Sequence, residues 1–485
     1  MNTNKIVYAC ALFLVIGLCG CDDYLNRMSR ISQTDELTLS TFSGINKSVI
    51  GAYSPLYDYM WYGRDFVVTA DIKGGNGKLS PKNSGRFRTD CFWNNTPTST
   101  CQTWQPAYAL IDRVNKVLKA LDGFSEPGVT TDELKAVEGE AKFLRALAYH
   151  DLVRMYAQDY YPAYKDSLGV PVVLTPSLFG KPARNTVEQV YTQIVKDLKD
   201  AEAYLPTAST HSGQDAKAWA TQRAAQALLA RVYLYMGEWQ KAADYATLVM
   251  DQQTATFRLF KPEEFRVWGT SASNGVWGAL TGGSEVIFEV FGSEGNSSHG
   301  NWDVISYILS PDGYGDVGAS NDLRSLYTDT SDVRGKLFCS TDKYPTDFWT
   351  LKYPGKDGNL REDNIPVLRL SEMYLIRAEA LLNGAVISGA TALKDLNDLR
   401  VQRKAKALTS ATLNDVYLER RRELCFEGHE LFDLSRTHRD LVRNDYSGSS
   451  NKDVHAGDYK WAMPIPQDEI NANPNCKQNS GYSSN

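Results

Sequence analysis

Residues 224–250, AAQALLARVYLYMGEWQKAADYATLVM, limit the fold more than any other part of the chain. Ala227, Leu228, Ala230, Val232 and Tyr235 recur at helical spacing. Gly237 then breaks the pattern before Trp239, Ala242 and Ala243 resume it. The spacing predicts a helix, a tight turn at Met236-Gly237-Glu238 and a second helix. One such pair cannot bury its own apolar face, so it must stack on others like it.

Further blocks carry the same signal. Val137, Ala141, Leu144, Ala148, Leu152 and Met155 form one apolar stripe, with Glu138, Lys142, Arg145 and Arg154 largely on other faces. Residues 367–382, followed by Gly384, predict the first helix of another pair. Trp104 precedes Tyr108, Ile111 and Val114 at helical spacing and is expected in the core. The 224–250 pair is similar to a tetratricopeptide unit, with small residues at the helix contact, an aromatic and a turn glycine. The fold class expected is therefore mainly α: a tetratricopeptide-like α-α superhelix with a loop-rich subregion containing a few short strands. That subregion is residues 261–360. It is rich in Gly, carries Trp268, Trp277, Trp302, Tyr307, Tyr314 and Trp349, and alternates briefly at residues 285–290. Residues 60–105 read similarly, with Trp61, Asp71, Trp93 and Asn95 in a Gly-containing stretch.

The N-terminus addresses the chain. Lys5 precedes an apolar run at residues 6–18, too short to span a bilayer and the right length for a signal-peptide core. Leu18-Cys19-Gly20-Cys21 resembles a bacterial lipobox, with Cys21 as the lipidated residue because Gly20 before it is small. Asp22 and Asp23 resemble a surface-export signal. The expected organisation is a signal peptide over residues 1–20, a helical region over 21–260, and a region over 261–485 with the loop-rich insertion and closing helices.

Composition narrows the function. The net charge is −6 and basic residues form no long run, so nucleic acid is not an expected partner. Cys91 and Cys101 lie ten residues apart in a polar stretch of a chain expected to be exported, where a disulfide between them is permitted. The six His show no metal spacing, the Lys78 region lacks a phosphate-loop pattern, and no Gly-x-Ser-x-Gly elbow is present. The expectation is a binding protein with no catalytic residues, no metal and no cofactor. The charges at 419–427 are read as ion pairs that fix helix packing.

Five segments carry a family resemblance: residues 139–149 (GEAKFLRALAY) with 152–156; the pair at 224–250; 369–380 (RLSEMYLIRAEA) with 396–400; 419–424 (ERRREL) running to 426–436 (FEGHELFDLSR); and 464–470 (PIPQDEI) with Asn473-Pro474 and 478–482. Together with the lipobox they resemble the SusD/RagB family of outer-membrane nutrient-binding lipoproteins. The resemblance implies a lipid-anchored protein on the outer face of the outer membrane. Its partner would be a SusC-type TonB-dependent barrel, and its ligand an oligosaccharide, less often a peptide. Two other readings stay open: a peptide-binding or interaction module, and a surface hydrolase.

Sugar recognition needs exposed rings that stack on C–H faces and polar groups that bond hydroxyls. By loop context the candidates are Asp71, Trp93, Asn95, Trp277, Trp302 and Tyr314.

Overall fold

The computed structural model describes residues 35–177, 179–211, 216–264, 284–293, 295, 302–356 and 358–482. Cys21 and Trp277, both singled out in the sequence, lie outside the described residues. The longer helices are α1 (Phe42–Gly51), α2 (Asp65–Lys73), α3 (Trp104–Leu121), α4 (Thr131–Tyr156), α5 (Val187–Tyr204), α6 (Gln222–Met236), α7 (Trp239–Met250), α8 (Leu370–Leu382), α9 (Ala392–Gln402), α10 (Leu413–Leu424) and α11 (Glu430–Arg436). Along α3 to α9 each helix packs against the next one or two in sequence, with α7 lying against α8 across the loop-rich region. The strands are β1 (Gly77–Leu79), β2 (Val286–Val290), β3 (Val317–Ala319), β4 (Phe338–Thr341), β5 (Tyr344–Thr350) and β6 (Ile365–Arg369). They form an antiparallel sheet in the order β1-β3-β5-β4 and a separate β2-β6 pair. The mainly helical fold with a strand-bearing, loop-rich subregion is thus as the sequence predicts. Among the described residues no helix is long and apolar enough to cross a membrane.

The α6–α7 pair shows why the pattern at 224–250 is decisive. Thr221 opens α6 by accepting from the Ala224 N–H. Gly237 ends it at φ +70°, where a side chain would be strained, and Gly237 and Glu238 donate to the carbonyls of Leu234 and Tyr233. Ala224, Ala227, Ala230, Ala242, Ala243 and Ala246 are all fully buried, so the small side chains set a close helix approach. Helix α4 starts with a reciprocal capping box between Thr130 and Glu133.

Two expectations change. The helix predicted to start at residue 367 starts at Leu370, because residues 367–369 belong to strand β6, paired with β2. Arg145 and Arg154, expected on faces of α4 other than its apolar stripe, are buried as well. Arg145 holds Asp197 of α5 through two bonds of 2.7 and 2.8 Å, and Arg154 holds Asp151. Helix α4 is covered on nearly all sides from Gly139 onward.

The charges at 419–427 do fix packing, but from inside the protein. Arg369, at the β6–α8 junction, is buried among Glu285, Glu423 and Glu427. It reaches Glu427 through bonds of 2.7 and 2.9 Å and Glu423 at 3.0 Å. Arg403 joins Glu285 (2.9 Å) and Glu423 (2.8 Å), and Arg334 joins Asp332 (2.8 Å), Glu419 (2.7 Å) and Glu423 (3.0 Å). Burial works against the Glu423 carboxylate, but Arg403 and Arg369 outweigh it and hold Glu423 well below the usual carboxylate range. Glu427 lies beyond the end of α10, in the turn before α11. Arg231 of α6 likewise clasps Glu372 of α8 at 2.9 and 2.6 Å.

Removing one member of such a network strands the others in a low-dielectric interior, at a cost of about 3–5 kcal/mol. Arg369→Leu should therefore lower the urea midpoint by that much stability, while a variant unfolding at the wild-type midpoint would refute the account. Glu372 gives a pH signature. Burial raises its pKa, but Arg231 prevails and brings it from 4.5 to about 2. A depressed carboxylate contributes stability that is complete above pH 4.5 and is lost as pH falls toward 2. Glu372→Gln should remove that part of the acid slope, worth about 3 kcal/mol, in denaturation curves recorded across the same range.

Candidate functional site

The β1–β3 pairing brings two distant segments together, placing the loop that leaves β1 beside the loop that enters β3. Ser80 donates to the Gly315 carbonyl, Lys82 Nζ to the Gly313 carbonyl (2.9 Å), and the Ser84 N–H to the buried Asp316 carboxylate (2.6 Å). Gly315 sits at φ +60° with the Trp349 indole nitrogen bonded to its carbonyl at 2.9 Å. A Cβ there would come within 3.1 Å of that nitrogen. The Tyr314 N–H bonds back to the Tyr307 carbonyl at 2.8 Å, folding Tyr314 against Tyr307 of the short helix Ile305–Leu309.

The result is a row of three rings. Trp302 meets Tyr307 edge-on at 5.1 Å, and Tyr307 meets Tyr314 at 5.1 Å. Trp302 is 47% exposed, and Tyr307 and Tyr314 are half-buried. Guanidinium groups flank the row, with Arg361 4.3 Å from the Trp302 ring and Arg86 4.4 Å from the Tyr314 ring. Asp303 sits between Arg64 (2.6 Å) and Arg86 (3.5 Å), and Arg86 also reaches Asp316 (3.3 Å). Arg64 in turn holds Asp65 at 2.7 Å and lies 4.6 Å from the Tyr59 ring. Burial, then the charge of Asp65, raises the Tyr59 hydroxyl pKa. The arrangement offers ring surface for apolar C–H faces, with a half-exposed carboxylate and guanidinium placed to bond hydroxyls.

Of the sequence candidates, Trp302 and Tyr314 come together here. Asp71, Trp93 and Asn95 do not, and their assignment as ligand contacts is corrected by their burial. Asp71 is 1% exposed and lies on α2 rather than in a loop. Its carboxylate accepts from the Phe426 N–H (2.6 Å), the Gly428 N–H (2.8 Å) and the Asn76 amide (2.8 Å). It thereby holds the turn after α10, where Phe426 has φ +61°. Trp93 is 2% exposed, donates to the Lys73 carbonyl at 3.1 Å and packs edge-on to Trp461 at 4.9 Å. Asn95 accepts from Lys73 Nζ at 3.0 Å and donates to Asp90 at 2.9 Å. The three brace α2 against the loop that follows it.

The Cys91–Cys101 disulfide is likewise corrected, since both are free, buried thiols. Cys101 Sγ pairs with the Thr103 hydroxyl at 3.3 Å, and the Cys91 carbonyl is taken by Arg443 at 2.6 Å. Burial raises both thiol pKa values, that of Cys101 to about 12. Tyr307, Arg64, Arg86, Asp303 and Arg361 were not singled out as ligand candidates. Tyr307 could have been found from its place between Trp302 and Tyr314. Arg64 and Arg86 lie more than 200 residues in sequence from Asp303 and Asp316, and no local signal marks them for the site.

The comparisons with known proteins agree with this architecture. Residues 23–234 match the SusD-like family described as "starch-binding associating with outer membrane", and residues 340–482 match the SusD family. Together the two matches take in most of the chain, which belongs to the SusD/RagB family. A SusD-like protein of Formosa agariphila is 23% identical over 535 residues, covering 99% of this chain and all of its own. The starch-binding protein SusD of Bacteroides thetaiotaomicron is 35% identical over 130 residues, 25% of this chain and 22% of its own. The crystal structure of a SusD superfamily protein from Bacteroides vulgatus superposes with a TM-score of 0.80 at 28% identity, covering 91% of this chain and 99% of the other.

If Asp71 is a brace, its isostere should fail. In Asp71→Asn an amide N–H₂ replaces one carboxylate oxygen and faces donors it cannot bond, costing about 1–3 kcal/mol. Thermal melts should show that loss, with glycan affinity unchanged at temperatures where the variant is folded; an affinity loss without a stability loss would return Asp71 to the site.

Proposed function

We propose that the protein captures oligosaccharide at the cell surface and passes it to a SusC-type TonB-dependent transporter in the outer membrane, held there by a lipid on Cys21. The row Trp302–Tyr307–Tyr314, with Trp302 open to solvent, is the observation that carries this reading. Successive rings at interplanar angles of 89° and 73° form a stepped surface on which consecutive sugar units of a chain can rest. Asp303 and Arg86 supply an acceptor and a donor at its edge. The family description supports a carbohydrate ligand and an outer-membrane address, as does the name of the Bacteroides thetaiotaomicron relative. In this reading the protein binds and does not cleave, with the Asp303 carboxylate at the rim held by two guanidiniums for orientation.

The test is calorimetry or affinity gels with the soluble form, residues 22–485, against plant and host glycans and a peptide mixture. A glycan should bind, and Trp302→Ala and Tyr314→Ala should each weaken it about tenfold, or about 1.4 kcal/mol, with little change in melting temperature. Binding of peptide alone, or steady release of reducing ends, would overturn the proposal. Co-purification of a barrel with the anchored form, lost on Cys21→Ala, would address the transport half.

A further inference from the structure

A second group of rings lies on elements that take no part in the Trp302 row. Tyr161 and Tyr164, in the segment after α4, enclose His438, which follows α11. The ring centroids are 3.8 Å apart for Tyr161–His438, 5.9 Å for Tyr164–His438 and 6.1 Å for Tyr161–Tyr164. One residue orients two of these rings. The Asp159 carboxylate, largely buried, lies 2.8 Å from His438 Nε2, and the Asp159 carbonyl accepts from the Tyr161 N–H at 2.9 Å. With Nε2 engaged by the Asp159 carboxylate, Nδ1 is the ring nitrogen left to meet a ligand. His438 has φ +51° because it closes the end of α11, its own N–H and that of Arg439 bonding back to the Ser435 and Leu434 carbonyls at 3.0 Å each. The strip continues past Gly457, where a Cβ would come within 3.0 Å of the Tyr164 hydroxyl, to Tyr459, which meets Tyr482 edge-on at 5.1 Å. Tyr161 is 44% exposed and Tyr459 39%.

We infer that this strip is a second saccharide-binding site, engaging another stretch of the same glycan chain that the Trp302 row holds; the inference rests on the glycan-binding function proposed above. Its exposed residues are amphipathic. Tyrosine faces stack on sugar C–H groups, while tyrosine hydroxyls and the imidazole Nδ1 bond sugar hydroxyls. The rings are locked before a ligand arrives, by Asp159 on one side and by mutual packing on the other, so little side-chain ordering remains to oppose binding. Two weak sites on one rigid chain engage a long polysaccharide through a high effective concentration, whereas a short oligosaccharide occupies either site singly.

The experiment compares wild type, Tyr161→Ala/Tyr459→Ala and Trp302→Ala on one glycan offered both as polymer, in affinity gels, and as a short oligosaccharide, by calorimetry. The double variant alters two half-exposed side chains, and circular dichroism and thermal melts verify its fold. The expected result is at least a tenfold loss of polymer binding in the double variant, with oligosaccharide affinity at the Trp302 row changed less than twofold. Polymer binding at the wild-type level in the double variant, alongside loss in Trp302→Ala, overturns the second site and leaves the proposed function standing. No binding of any glycan by wild type overturns both.

Discussion

A charge-paired guanidinium sits where the two kinds of structure in this protein meet. Arg369 ends strand β6 immediately before α8, and it is sealed among Glu285, Glu423 and Glu427. Those carboxylates come from the segment leading into β2, from α10 and from the turn beyond it. Each could be buried only because guanidinium groups and backbone partners compensate the lost hydration. The network therefore works as a registration device: α8 and α10, the β2–β6 pair and the turn at Phe426 must all be in place before any of these charges can leave water. Lys352 extends it, holding the Glu427 carboxylate at 2.6 Å and the Cys425 carbonyl at 2.8 Å.

From that junction the structure builds outward to the site. The turn fixed by Glu427 is the one whose Phe426 and Gly428 amides are taken by Asp71, so the ion network and α2 share a wall. Helix α2 leads into β1, β1 pairs with β3, and the loops on either side of that pairing carry Arg86 and Tyr314. Arg64, just before α2, clasps Asp303 beside Trp302. The rings thus stand on irregular backbone, but every segment bearing them is pinned by bonds to a rigid element. Loops held this way keep a recognition surface in shape without ligand present.

Much of this was legible along the chain. The α6–α7 hairpin follows from residues within one window, because helical periodicity, a threonine cap and a left-handed glycine act over a few residues. The loop-rich region and strand β2 follow from Gly density and a short alternation. Trp302 and Tyr314 were legible as candidates from their loop context alone, which does not separate them from Trp349 of the same stretch, fully buried here. Asp71, Trp93 and Asn95 looked the same by that criterion, yet the structure buries them. A short polar stretch does not reveal that another segment, here the turn at 426–428 or Trp461, will cover it.

The sequence by itself determined the helical framework and the family, since both rest on local periodicity and on motifs of a dozen residues. The charge spacing at Glu419 to Glu427 also points to ion pairs that serve packing, but among the described residues only Glu419–Arg422 pairs at helical spacing there, and Glu423 and Glu427 meet Arg334, Arg369, Arg403 and Lys352 from distant segments. Only the tertiary structure decided where strand gives way to helix at Leu370, since β6 needs β2, some 80 residues away, to exist at all. It also decided which aromatics face water. The energy of burying a ring or a charge depends on the atoms brought against it, and those come from segments such as Arg64 and Asp303, 239 residues apart, whose meeting no local pattern encodes.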